Sequence, residues 1–365
     1  LTRVLLDARK ARDFGIGRYI LGLVAALARA GEFDLAAIVR PGDEELLPSG
    51  VTLLVSGVSP YTAAELVAVR SVIGRARPAL FHAPHYVVPV LPPSATVVTI
   101  HDLMHVRRRE HATLPKRAYA TTMLRRAVRL AARIVAVSEA TRRELAAFDR
   151  RSDGKTSVIP NGVDGRFRPD IPAEERARIR RVHRLECPYL LFLGNDKPHK
   201  NIEGLLDAFT GIAGTGEGVR LVLAGGSTER AGLRQAQIAA RGLSAHVLDL
   251  GIVPDEDVPA LLAEARALVL PSLAEGFGLP VLEAQAVGTP VACSNRGGLS
   301  EAAGEAAVFF DPEDRPGIAS ALRRVLADEE LRASLTSKGL ARAHAFSWER
   351  VAGMTSAVYR DVLGS

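Results

Sequence analysis

With 365 residues, 47% of them apolar and 24% charged, the chain has the make-up of a soluble globular protein of two ordinary-sized domains. No apolar run approaches the roughly 18 residues of a membrane-crossing helix, and Cys187 and Cys293 are too few for a disulfide framework and keep no metal-ligand company. The formal charge of +6 points to anionic partners and leaves nucleic acid, a membrane surface and phosphorylated substrates open. The N-terminal LTRVLLDARKARDF reads as a strand and a charged loop, not a signal peptide, so the expected compartment is the cytoplasm.

In chain order, short β-branched or Leu-rich runs alternate with longer amphipathic segments, the pattern of a parallel sheet wrapped by helices. Strands are expected at 3–8, 34–39, 51–55, 79–83, 95–100, 133–138 and 156–160, with helices over 18–30, 63–75, 115–131 and 139–148. The scheme repeats with strands at 189–194, 219–225, 246–251, 267–271, 290–294 and 306–310. Between the two sets, 161–188 carries NGVD, Pro169, Pro172 and the charged run EERARIRR, and reads as an interdomain connection with one exposed helix. A last helix is expected over 348–363. The fold class is therefore α/β, and two doubly wound sheets joined in this way would hold a ligand at the carboxyl ends of their strands.

Several loops that follow these strands carry chemistry. DFGIGRY (13–19) places Gly15 and Gly17 between strand and helix, where a backbone can approach a ligand. The third glycine of a dinucleotide fingerprint is missing, which weakens a NAD-binding reading. In VVTIHDLMH (97–105), His101 and Asp102 stand just after a strand, and a histidine there can hydrogen-bond a sugar hydroxyl and change charge near neutral pH. His82 and His85 could line the same rim, without a third ligand at metal spacing. From Arg107 to Arg133 the chain is strongly basic, with Glu110 its one acid and Leu124, Val128 and Ala131 on the inward face of a helix. Such a helix suits an anionic membrane surface or a phosphorylated lipid. Nucleic acid fits less well, because aromatic residues for base stacking are absent from this segment.

In the second half, GNDKPHKN (194–201) follows a strand and brings Asn195, Lys197, His199 and Lys200 to a helix start. AGG (224–226) ends a strand with glycines at Gly225 and Gly226, and GIVPDEDV (251–258) follows another with Ile252 and Val253. PSLAEGFGLPVLE (271–283) is the centre of the pattern: a buried strand, a Gly-rich turn and a helix opened by Leu279 and Pro280 and closed by Gly288. Unpaired amides at such a helix start suit a phosphate. Glu275 stands before this anion site and Glu283 about one turn inside the helix, where a carboxylate can accept from ribose hydroxyls.

The stretch EGFGLPVLE (275–283) resembles the E-x7-E signature of retaining glycosyltransferases of family 4, whose fold is GT-B, two Rossmann-like domains facing a central cleft. The likeness extends through G-I-G-R-Y, H-D-L, P-H-K-N and most of the chain. It implies an acceptor-binding domain over 1–168, joined by the final helix 348–365, and a nucleotide-sugar domain over 169–347. By the same resemblance Glu275 and His101 face the donor sugar, Lys200 the diphosphate and Glu283 the ribose. The backbone of Phe277, Gly278 and Leu279 would contact the diphosphate, that of Val253 the base, and Gly15, Gly17 and Gly225 would line the ligand. Asn195 stands where the family usually has an arginine, so either Lys197 or His199 would supply the second positive group or fewer charges would hold the leaving group.

The activity implied is metal-independent, retaining transfer of a hexose from a nucleotide-sugar donor, with no further cofactor, to a saccharide or lipid-linked saccharide. GDP-mannose is the first expectation for the donor, with UDP- and dTDP-sugars open. The location implied is cytoplasmic, peripheral on the inner face of the plasma membrane if the basic segment binds lipid. The rival readings are an epimerase or phosphorylase of the same fold, and a non-catalytic nucleotide- or lipid-binding protein.

Overall fold

Short apolar runs become strands because a parallel sheet, covered on both faces by its crossover helices, buries every side chain of its central strands. The structure is a computed structural model and describes residues 1–92, 94–107, 113–214 and 218–364. The first sheet holds β1 (Arg3–Asp7), β2 (Asp34–Val39), β3 (Thr52–Val55), β4 (Leu80–Ala83), β5 (Ala95–Ile100), β6 (Arg133–Ala136) and β7 (Thr156–Val158). Its order is β3-β2-β1-β4-β5-β6-β7, all parallel, with Val4 of β1 opposite Leu35 of β2 and Leu80 of β4. The second sheet holds β8 (Tyr189–Leu193), β9 (Arg220–Ala224), β10 (Val247–Gly251), β11 (Ala267–Leu270), β12 (Val291–Ser294) and β13 (Val308–Phe310). Its order, β10-β9-β8-β11-β12-β13, repeats that of the first sheet over six strands. Each expected strand is present, and both sheets are doubly wound.

The chain forms two units, Leu1–Gly162 with Phe346–Ser365, and Val163–Ala345. The expected boundary at 168 falls a few residues later than this division, since the buried Phe167 belongs to the second unit. The charged segment of the connection is the helix Ala173–Val182, and it is more than a spacer. Ile179 is buried, Arg178 bonds Asp257 at 2.5 Å, and Arg176 and Arg180 pair with Glu264, so this helix is tied onto the second unit.

One helix start differs from expectation. The first helix is Phe14–Ala30, so Gly15 and Gly17 lie in its first turn and not in a loop before it. Gly17 donates to the Asp13 carbonyl at 2.7 Å, and a Cβ on it would stand 2.3 Å from the Ala11 carbonyl oxygen. The glycine therefore lets the segment after β1 fold back against the helix start. Gly15 faces open space.

The last helix, Trp348–Leu363, packs on the first helix within the first unit. Ser347 caps it through the Arg350 amide. The Trp348 indole lies on two glycines: a Cβ on Gly22 would come within 2.1 Å of it, and one on Gly162 within 2.7 Å. Tyr359 is fully buried, and Phe33 packs edge-on at 5.6 Å. Rings of this kind bury roughly 200 Å² each, about 5 kcal/mol gross. The exposed ion pairs Arg29–Glu349 and Arg133–Asp361 are worth below about 1 kcal/mol each. Apolar burial holds this helix.

Beneath it lies a buried polar chain. His82 bonds Tyr359 Oη at 2.6 Å through Nδ1 and Thr99 Oγ1 at 2.8 Å through Nε2, and Tyr19 Oη meets the same Thr99 oxygen at 2.9 Å. Burial lowers the His82 pKa to about 3, so the folded ring is neutral at pH 7. An unfolded histidine titrates near 6.5. Below that pH the unfolded chain takes up the proton first, so this contribution is complete above about 6.5 and is lost as pH falls toward 3. His82 thus adds a slope of about 1.4 kcal/mol per pH unit, with stability falling on acidification. Urea midpoints from pH 7 to 4.5 should show a shallower fall in His82→Gln than in the wild type, and equal slopes would overturn the assignment.

Candidate functional site

In each sheet the order reverses between two neighbouring strands, β1 and β4 in the first and β8 and β11 in the second, and loops at the carboxyl edge of such a reversal leave a crevice for ligands. The second unit builds its site there. After β8, Gly194 leads to Asn195, whose Oδ1 accepts from the Lys197 amide at 3.2 Å, and then to a single tight turn, Pro198–Lys200. Asn201 follows with φ of 56°, and its side-chain amide donates to the Pro271 carbonyl at 3.1 Å and the Pro312 carbonyl at 2.8 Å. The Leu273 amide donates to the His199 carbonyl at 2.7 Å. These bonds lash the loop after β8 to the loop after β11.

The lashing brings Lys200 to Glu275. Lys200 Nζ lies 2.5 Å from Glu275 Oε1, the side chains are 11% and 12% exposed, and Ser272 Oγ donates to the same oxygen at 2.8 Å. The pair is largely screened from water yet keeps a little exposure, so a charge arriving there acts through a lower dielectric than at the surface. Next to it, Gly278 caps the helix Leu279–Ala286 with φ of 116°, and Pro280 sits in the first turn. The turn is backed by Gly297 and Gly298. Cβ atoms there would lie 2.4 Å from the Glu275 carbonyl oxygen and 2.3 Å from that of Gly276, and the Gly298 amide donates to the Glu275 carbonyl at 2.9 Å. Phe277 and Glu283 are buried, at 5% and 2% exposure.

The remaining expected residues of this unit sit on neighbouring loops. Lys197 is exposed, while His199 is buried at 3%, so of the two candidates for a second positive group only Lys197 is open to solvent. Gly225, with φ of 101°, would put a Cβ 2.3 Å from the Gly194 carbonyl oxygen, and its amide donates to the Gly251 carbonyl at 2.6 Å. Val253 is half-buried and Ile252 exposed. Sequence spacing carries no signal for Ser272, which reads as a plain loop serine. The Gly297–Gly298 pair after β12 carries a signal that could have found it, two successive glycines following a strand.

His101, Gly15 and Gly17 belong to the first unit. His101 follows β5, stacks edge-on with Tyr19 at 4.9 Å, and its Nε2 lies 3.0 Å from the Pro84 carbonyl. A carbonyl only accepts, so Nε2 carries the proton and Nδ1 is the acceptor of the neutral ring. Burial lowers its pKa to about 4, against the opposing pull of the Pro84 bond. The expectation that it changes charge near neutral pH is corrected: it stays neutral.

His82 and His85 do not form a rim, because both are buried. His85 Nδ1 accepts from the Val87 amide at 3.1 Å, and its Nε2 stands 3.4 Å from Asp7 Oδ2. Burial would raise the Asp7 carboxyl, but Arg9 beside it, with help from His85, holds it far below the usual range. Asp7, Glu65 and His85 are the one cluster among the described residues with metal-like spacing. Arg9 Nη2 reaches Asp7 at 2.6 Å and Glu65 at 2.7 Å, so a guanidinium already serves as cation to both carboxylates. This donor set fits an ion triad, not a metal. Lys10, also buried, holds Asp13 at 2.7 Å and Tyr61 Oη at 2.5 Å, and no sequence pattern distinguishes it.

The basic segment forms the helix Leu114–Leu130, with Leu124, Val128 and Ala131 buried as expected, while Arg108, Arg109 and Glu110 lie outside the described residues. Arg126 donates to the Val88 and Pro89 carbonyls. A cavity of about 370 Å³ there is lined by Arg125, Arg126, Arg129 and Arg151 beside Leu91 and Leu130, and its lining contains no carboxylate. Among the described residues no helix is long and apolar enough to cross a membrane.

Comparison with known proteins agrees with this architecture. Residues 15–166 match the family model described as Glycosyltransferase Family 4, and residues 174–342 match Glycosyl transferases group 1. The O-antigen chain mannosyltransferase B of Escherichia coli is 32% identical over 283 residues, 77% of this chain and 74% of that protein. Other curated relatives are spanned over about half their length, 57% and 48% in two cases. Among solved structures, a sucrose-phosphate synthase of Thermosynechococcus elongatus superposes with a TM-score of 0.82 at 22% identity, each chain covered in full. Anabaena HepE, solved with UDP-glucose, superposes with a TM-score of 0.80 at 18% identity over 99% of this chain and 100% of that one. The chain belongs to glycosyltransferase family 4 and has the GT-B fold.

Proposed function

We propose that the protein transfers a hexose with retention of anomeric configuration, mannose from GDP-mannose being the first choice of donor, to a saccharide or lipid-linked saccharide. The observation that carries the reading is the Lys200–Glu275 pair beside the helix start at Leu279. In this reading the donor diphosphate takes Lys200 away from Glu275 and accepts from the amides next to Gly278. Fixed donors of this kind stabilise charge as it develops on a leaving group. Glu275, released from the lysine, faces the sugar, Glu283 holds the ribose, and neutral His101 accepts from a hydroxyl through Nδ1. The bond from the anomeric carbon to the diphosphate oxygen breaks, its electron pair staying with the diphosphate. The acceptor oxygen bonds the same face of that carbon, and its proton passes to the departing diphosphate. Lys200 and the amides supply the positive charge, so the step calls for no metal ion.

Mannose is favoured by the likeness to the Escherichia coli mannosyltransferase. A UDP-glucose donor is the second reading, favoured by the HepE complex. The arginine cavity, in which Arg151 is paired with Asp149 beyond the lining, favours an anionic membrane surface as the place where the acceptor is met; in a high-dielectric interface each arginine would add about 1 kcal/mol.

Glu275→Gln and Lys200→Met should each lower kcat by about 100-fold or more in variants that still fold, at melting temperatures lowered by the loss of the pair. Turnover close to normal in both would sink the site assignment. In a thermal-shift panel of GDP, UDP, dTDP and ADP, one diphosphate should raise the melting point, worth about 2.7 kcal/mol at a hundredfold excess over Kd, and Glu283→Gln should lose the shift. No shift with any of them would refute the donor reading. Co-sedimentation with phosphatidylglycerol vesicles should exceed that with phosphatidylcholine, and Arg125→Gln with Arg129→Gln should weaken it by about 2 kcal/mol together. Equal sedimentation with both lipids would remove the membrane from the account.

A further inference from the structure

The loops that follow β8, β9 and β10 converge on one buried arginine. Arg234, in the helix Ala231–Ala239, is 3% exposed. Its Nη1 donates to Asp196 Oδ2 at 2.6 Å and to the Ser227 carbonyl at 3.0 Å, and its Nε donates to Asp249 Oδ2 at 2.9 Å. Asp196 follows β8, Ser227 follows β9 and Asp249 lies near the end of β10, so a single guanidinium joins three adjacent strand ends. Each partner organises its own loop in turn. Asp196 Oδ2 accepts from the Ser227 amide at 3.3 Å, the Asp196 carbonyl accepts from Arg230 at 2.7 Å, and Asp249 Oδ1 accepts from the Gly251 amide at 3.1 Å. Gly226 is required there, because a Cβ would lie 2.8 Å from Arg234 Nη1.

Asn195 precedes Asp196, Gly225 precedes Gly226, and Val253 follows Gly251 by two residues. Three residues expected to line the donor thus stand on the three loops that Arg234 ties. We propose that Arg234 is a positioning residue for the nucleotide half of the donor: it touches no substrate, and it sets the spacing of the loops that enclose base and diphosphate. The assignment rests on the nucleotide-sugar reading above. A planar guanidinium serves three acceptors in fixed directions, and a lysine ammonium at the same place, a point charge on a flexible stem, does not reproduce that fork.

The test is Arg234→Lys, with Asp249→Asn as the milder variant that keeps the bonds to Asp196 and Ser227. Each is compared with wild type by calorimetric titration of GDP, UDP and dTDP and by steady-state transfer. The expected result is a folded variant whose affinity for the preferred diphosphate falls about tenfold or more. Most of the loss should fall on the donor KM and not on kcat, and the preference among the three bases should narrow. A purely structural role would lower the melting temperature and leave affinity, KM and base preference of the folded protein unchanged; that result in either variant overturns the proposal. A wild type that binds none of the three diphosphates overturns the nucleotide reading itself, and this assignment with it.

Discussion

A parallel strand can be followed by another only through a right-handed crossover, and the helix of that crossover must lie on one face of the sheet or the other. Where strand order reverses, successive crossovers leave on opposite faces and their first residues part. In the second unit that parting lies between β8 and β11, and the pair of Lys200 and Glu275 stands across it. Two opposite charges held with little water neutralise each other, which keeps the dehydration cost of each tolerable. The same proximity couples the two groups, since whatever draws the lysine away leaves the carboxylate without its partner.

Around this pair the backbone comes unusually close to itself, and glycine is the means. Gly225 against Gly194, Gly297 against Glu275 and Gly298 against Gly276 are approaches in which any Cβ would overlap a carbonyl oxygen. Gly278 adds a positive φ that permits the turn into the helix at Leu279. Packed main chain is stiff, and stiffness is what hydrogen-bond donors need if they are to stand ready where charge develops. The arginine that ties the loops of β8, β9 and β10 extends that stiffness across half the sheet edge.

The first unit meets the same problem of burying polar groups in two other ways. His82 is kept neutral and its ring nitrogens are matched to Tyr359 and Thr99. Asp7 is kept charged, and it shares Arg9 with Glu65. A neutral ring costs little to dehydrate but ties stability to pH, whereas buried charges demand full pairing. Both arrangements lie beneath the carboxyl edge of the sheet, and they hold β1, β4, β5 and the last helix in fixed relation. The returning helix itself depends on Trp348 lying over Gly22 and Gly162, a fit of shape more than of charge.

The strand pattern was legible because apolar runs bounded by turn residues have only one way to be buried, and the turn from Glu275 to Leu279 was legible because glycine, proline and acid stand there in a spacing that favours an anion. Lys200 was legible as a cation near a helix start, but its pairing with Glu275 was not, since 75 positions separate them and only the neighbouring places of β8 and β11 in the sheet bring them together. Gly15 and Gly17 read as a loop from their residue types, yet lie in a helix, because Gly17 accepts the close return of Ala11. His82, His85 and His101 share a residue type and a strand-end position, and nothing local separates a ring under a helix from one near a sheet edge. The sequence by itself determined which segments are strands and where charge and glycine meet. The tertiary structure alone decided which charges neutralise one another, which histidines lose their protons and which arginine holds three loops, because those outcomes depend on burial and on distances between residues far apart in the chain.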